Sequence, residues 1–255
     1  MKQWVPTWAA VVAMSAGLMV GPAHAGVRLD RTRLIYPAND REVTVSMKNE
    51  GDTPVLVQAW MDKGDLNASP STIDVPFTLT PVTFRLNPGK GQTLRMSYTN
   101  EPLPKDKESL FWLDVQEVPP KTKSQAGQDI NTLEFAFRSR IKVFFRPQGL
   151  PGKADDAPKQ VTWTLVRDPD GKGYAIQGTN PTPYYVNLGE VSLVDGGKTY
   201  FATQGYIEPG SSKRFPIQGL ATAPSAGAEV EYVSIDDWGT NEKTKHALSA
   251  ASATH

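Results

Sequence analysis

Residues 131–147 read NTLEFAFRSRIKVFFRP, the longest uninterrupted stretch in which apolar side chains recur at every second position. Leu133, Phe135 and Phe137 fall on one face of an extended chain, the small polar Ser139 follows, and Ile141 and Val143 continue the alternation. Successive side chains of a strand point to opposite faces, so a period of two predicts a β-strand here rather than a helix. Pro147 and the following Gln148-Gly149-Leu150-Pro151-Gly152 end the strand and read as a hinge or linker. On the other side, KTKSQAGQ at 121–128 has the composition of a flexible polar loop.

The same period extends outward in both directions. Toward the N-terminus, Val43, Val45 and Met47 alternate with polar residues, as do Val55, Val57 and Ala59, then Leu94, Met96 and Tyr98, then Phe111, Leu113 and Val115. Asn49-Glu50-Gly51-Asp52, Asn87-Pro88-Gly89 and Pro119-Pro120 punctuate them as turns. Beyond the linker, VTWTLV at 161–166, GYAIQG at 173–178, YYVNLGEVSLV at 184–194 and VEYVSI at 230–235 repeat the pattern. Many short strands divided by turn residues predict antiparallel β-sandwiches, and two of roughly 100 residues fit the length. The tail from Lys243 to His255 has one large apolar residue, Leu248, and is expected to fray.

Composition narrows the chemistry. Of 255 residues, 27 are Lys or Arg and 27 are Asp or Glu, so no basic excess argues for nucleic-acid binding. Cysteine is absent, which removes disulfides, thiolate metal sites and cysteine nucleophiles. The three histidines are His24, His246 and His255, leaving none between Ala25 and Lys245 for a Ser-His-Asp triad or a histidine-ligated metal. PGKGQT at 88–93 superficially suggests a phosphate loop, but Phe84 and Gly91 stand where the motif needs Gly and Ser or Thr, so it reads as a hairpin turn. Asp236-Asp237, as neighbours on a strand, would face opposite ways and suit salt bridges better than a shared ligand.

Residues 1–25 combine Lys2, an apolar run from about Trp8 to Val20, and the small-x-small triplet Ala23-His24-Ala25. A run this short followed by such a triplet predicts a secretory signal peptide cleaved after Ala25, not a membrane-spanning anchor.

Leu133, Phe135 and Phe137 fit two roles. Taken alone they are core. On an exposed sheet edge, where backbone groups are free to accept another chain, they become a docking stripe. Arg33 and Lys142 each interrupt a strand-like segment, where a charge must be solvated, paired or functional.

LDRTRLIYP at 29–37, ESLFWLDVQEVPP at 108–120, RIKVFFRP at 140–147, NPTPYYVNL at 180–188 and IDDWG at 235–239 together resemble the PapD-like periplasmic pilus-assembly chaperones of chaperone–usher systems. The resemblance implies two immunoglobulin-like β-sandwich domains in a boomerang, at residues 26–149 and 150–255, after the leader. It implies a non-enzymatic periplasmic chaperone that completes pilus or fimbrial subunits by donor-strand complementation and hands them to an outer-membrane usher. By that likeness Leu133, Phe135 and Phe137 fill the subunit groove, Arg33 and Lys142 bind the subunit's C-terminal carboxylate, and Glu108, Arg146 and Asp237 form a charge network between the domains. No cofactor, metal, nucleotide or nucleic acid is implied, and self-association would cap the apolar edge between clients. The loop before the strand lacks the cysteine pair of the long-loop subgroup, which favours the short-loop group. Two rivals stand beside this reading. A structural or adhesive immunoglobulin-like protein would bury the apolar stripe in its own sandwich. A carboxylate-based glycosidase would need two acidic side chains facing one cleft roughly 5–10 Å apart.

Overall fold

The computed structural model describes residues 26–67, 69–71, 73–120, 135–168 and 173–248. The alternation read above becomes two sandwiches, because each strand turns one set of side chains away from water while its backbone is satisfied sideways by neighbours. The first is built from β1 (Val27–Leu29), β2 (Arg33–Pro37), β3 (Val43–Asn49), β4 (Val55–Asp62), β5 (Phe77–Thr80), β6 (Thr83–Leu86), β7 (Gly91–Tyr98), β8 (Ser109–Val118) and β9 (Phe137–Arg146). One sheet has the order β1-β3-β7-β5 and the facing sheet β2-β9-β8-β4-β6. Val45, Met47, Leu94 and Met96 from one sheet meet Val57, Leu113, Val115 and Val143 from the other in a single core.

The second sandwich comprises β10 (Thr162–Arg167), β11 (Tyr174–Thr179), β12 (Val186–Asp195), β13 (Lys198–Phe201), β14 (Gly205–Ile207), β15 (Ser212–Pro216), β16 (Glu229–Ile235) and β17 (Asn241–Ala247). A sheet ordered β10-β11-β15 packs over β13-β12-β16-β17, with β14 paired to the start of β12. Trp163, Ile176, Val191, Phe215 and Tyr232 fill its core, which shares no residue with the first. The expected hinge is not loose: Leu150 packs on the second core, and the Tyr184 hydroxyl donates to the carbonyls of Leu150 and Gly152 at 3.4 and 3.3 Å.

Four expectations need correction. The long strand begins at Phe137, preceded by Phe135 and Ala136 outside any strand, and Leu133 and the loop at 121–128 lie outside the described residues. PGKGQT is a tight turn, with Gly89 at φ 69° and the Lys90 N–H donating to the Asn87 carbonyl, but it carries the chain from β6 to β7 in the opposite sheet and so is not a hairpin. The first sandwich is not purely antiparallel, since β2 runs parallel to β9. The tail is strand as far as Ala247, where Lys243 and Lys245 bracket Glu231 on β16 across the pair.

Candidate functional site

β9 is flanked unequally. On one side β8 pairs with its residues Phe137 to Phe145. On the other, β2 begins only where Arg33 stands opposite Lys142, so among the described residues no strand lies beside Phe137–Ile141. The open lane carries the alternation out of the core. Ile141, Val143 and Phe145 are buried on the inner face, while Phe137 on that same face is 63% exposed and Phe135 is 61% exposed. Their rings lie 6.4 Å apart over a groove bordered by Val55, Glu117 and Pro119. The reading that enclosed these rings in the protein's own core does not hold for Phe135 and Phe137.

The closed end of the lane is positively charged. Arg33, 9% exposed, donates from Nη1 to the Ile235 carbonyl at 3.0 Å, and its Nε is buried without a partner. Opposite it, Lys142 Nζ donates to Asn187 Oδ1 at 2.6 Å and sits 4.6 Å from the Tyr206 ring, which Lys213 approaches at 4.8 Å. Neither Arg33 nor Lys142 forms an ion pair with any described carboxylate. Burial, then the charges of Arg33 and Lys213, push the Lys142 ammonium down to about 8, and burial lowers Arg33 despite the charges of Asp236 and Asp237. Two desolvated cations with no carboxylate in ion-pair contact make a receptor for an anion, because a buried charge is stabilised only by pairing and hydrogen bonding.

Behind this pair lies the charged network. Arg146 Nε donates to Glu108 Oε1 at 2.6 Å, and its two terminal nitrogens donate to the Asp237 carboxylate at 2.7 and 2.9 Å. Glu108 Oε2 accepts the Tyr185 N–H at 2.7 Å, and the Glu108 N–H donates to the Pro183 carbonyl at 2.9 Å. Side chains from just before β8 and from the end of β9 are thus pinned to the approach to β12 and to the turn after β16. Burial raises the Glu108 carboxyl above its ordinary range, against the opposing pull of Arg146 and the Tyr185 N–H. Asp236 and Asp237 lie in that turn rather than on a strand, and Asp236 Oδ1 accepts the N–H groups of Trp238 and Thr240.

Sequence reasoning missed the outer face of the same sheet. Arg138 and Arg140 on β9 meet Asp114 on β8 and Asp62 on β4 at 2.7 and 2.5 Å and stack on Trp60 and Trp112. The signal was the basic alternation Arg138, Arg140, Lys142, the polar counterpart of the apolar set on the other face. Asp62 and Asp114 are a close acid pair, but they are 1% and 0% exposed and held by arginines, unlike the open pair that a glycosidase would need. Among the described residues no cluster of His, Cys, Asp and Glu is arranged to hold a metal.

Comparison with known proteins identifies the family. Residues 26–151 match the pili and flagellar-assembly chaperone, PapD N-terminal domain, and residues 156–246 match the pili assembly chaperone PapD, C-terminal domain. The probable fimbrial chaperone YadV of Escherichia coli is 40% identical over 84% of this chain and 87% of its own length. The chaperone protein FimB/FhaD of Bordetella pertussis is 40% identical over 90% of this chain and 92% of its own. A Salmonella enterica structure of SafA pilin in complex with the SafB chaperone superposes with a TM-score of 0.70 at 28% identity, covering 88% of this chain and 97% of the other. With both domain models matched in order and relatives this similar along most of their length, the chain belongs to the family of PapD-like pilus-assembly chaperones.

Proposed function

We propose that this chain binds pilus or fimbrial subunits in the periplasm by lending them a strand, with the subunit's C-terminal carboxylate held between Arg33 and Lys142. The observation that carries the reading is the position of the two cations at the closed end of the open lane along β9. A guest strand occupying that lane in the direction of β2 ends with its C-terminus against Arg33. In the opposite direction it would present an ammonium to two cations. Charge therefore selects the polarity, backbone hydrogen bonds supply sequence-tolerant affinity, and Leu133, Phe135 and Phe137 are offered to the guest's pockets. Burying the two exposed phenylalanines contributes about 3–6 kcal/mol before the losses of association are counted.

In this reading Glu108, Arg146 and Asp237 hold the two domains so that the cleft stays formed. The chain has no catalytic step. It is exported with cleavage after Ala25, delivers its guest to an outer-membrane usher, and covers its own open edge by self-association when no guest is present. SafB in complex with SafA supports the guest class, and the family match supports the compartment. Co-expression with fimbrial subunits from the same cell tests it. A one-to-one complex is expected, lost in folded Arg33→Ala and Lys142→Ala variants. Retention of subunit by the folded double variant sinks the anchor assignment.

A further inference from the structure

Glu117 lies on β8 opposite Phe137 and is 9% exposed. Its Oε2 accepts the Val27 N–H at 2.6 Å, and among the described residues it has no cationic partner. The carboxylate closes on Gly26 so tightly that a Cβ there would overlap both oxygens. Lying so close to the Gly26 Cα, the carboxylate is also near the Gly26 nitrogen, which is about 1.46 Å from that Cα. From the other side the Gly26 carbonyl accepts the Glu50 N–H at 2.9 Å, and β1 pairs with β3 from Val27 onward. The start of β1 is thus fixed on both sides, where chain ends ordinarily fray.

We propose that Glu117 is the receptor for the α-ammonium group created when the leader is removed, so that processing supplies the missing counter-ion at the base of the open edge. The inference rests on the proposed cleavage after Ala25. Hydrolysis of the Ala25–Gly26 peptide bond by a leader peptidase consumes one water and leaves a carboxylate on Ala25 and an amine on Gly26, which takes up a proton near neutral pH. Before cleavage that nitrogen is a neutral amide and Glu117 keeps only hydrogen-bond partners. Afterward a buried carboxylate gains a fixed cation, which favours the protonated form of the amine.

Three measurements decide it. The mass of the exported protein is expected to place its first residue at Gly26, and any other start refutes the cleavage reading itself. In protein released from a fusion cut immediately before Gly26, the α-amine, followed by NMR, should titrate about one pH unit above the ordinary value of roughly 8, and E117Q should return it there. An identical midpoint in both proteins overturns the ion pair while leaving the cleavage site standing. Should E117Q not fold, the wild-type sequence is compared with and without Ala25 retained ahead of Gly26. The shorter chain is expected to melt at the higher temperature near neutral pH and to lose that advantage above about pH 10, where its amine is neutral. Equal melting refutes the proposal.

Discussion

Lys142 titrates within reach of ordinary buffers, and this makes the anchor testable without disturbing the fold. Its ammonium is pushed down to about 8 by burial and by the charges of Arg33 and Lys213, so a guest carboxylate that pairs with it must bind the protonated form. At about pH 7 roughly nine-tenths of free protein carries that charge, and at about pH 9 roughly one-tenth does. The dissociation constant of a peptide copying the C-terminus of a subunit should therefore rise about tenfold across that interval, with close to one proton taken up per peptide at the upper end. Calorimetry in buffers of different ionisation enthalpy reads both quantities together. The same peptide with an amidated terminus should bind weakly and without this slope. Lys142→Arg should flatten the slope, since a guanidinium keeps its charge throughout. A free-acid peptide whose affinity is constant over these two units, or an amidated peptide that follows the same curve, would refute the reasoning.

Phe137→Ser should leave the unfolding free energy within about 0.5 kcal/mol of wild type, because the residue is 63% exposed, while weakening subunit capture in a pull-down. A loss of stability on the scale of a core truncation would show that the ring is enclosed after all. Within the charged network, Glu108→Ala should destabilise more than Asp237→Asn, about 3–5 against about 1–3 kcal/mol by urea denaturation. The reason is that the Glu108 side chain is 2% exposed, against 27% for Asp237, and its removal leaves the Arg146 Nε and the Tyr185 N–H without their partner, although the guanidinium keeps Asp237. The reverse order would contradict the description of the network. Asp62 is raised to about 6 by burial, then by its hydrogen bond with Asp114, more than Arg140 pulls it down. The folded protein therefore holds a proton that the unfolded chain has already released, and this contribution to stability is full below about pH 4 and lost as pH rises through about 6. Wild type measured against Asp62→Asn should lose stability over that window, and parallel pH profiles would refute the assignment.

Val45 and Met47 announced their strand because one face of it lies in the core and the other in water, and Leu113 and Val115 because polar Asp114 and Gln116 alternate with them. The lane beside β9 had no such signature. Ile141 and Phe137 share a face and are both large and apolar, yet one is 6% and the other 63% exposed, because burial depends on how far the opposite sheet extends. Periodicity names a face but not a neighbour, so the meeting of Arg33 and Lys142 was implied only by resemblance, and the parallel pairing that brings it about was not anticipated. β17 was missed for a related reason: an edge strand is wetted on most sides, and NEKTKHA shows no apolar alternation although every residue of it pairs with β16. Nothing in the sequence singles out Asp62 and Asp114, because no local pattern says that tryptophans and arginines from three strands close over them.

The blunt start of β2 at Arg33 has a geometric corollary. From Phe137 to Lys142 the strand spans five steps, about 17 Å at roughly 3.3 Å per residue. A rail of fixed length with a buffer stop at one end measures whatever is slid along it. Visitors of unrelated composition can share the track if they agree on the count of residues between their last atom and their first bulky contact. One extra residue at the terminus turns every side chain of the visitor over to the wrong side.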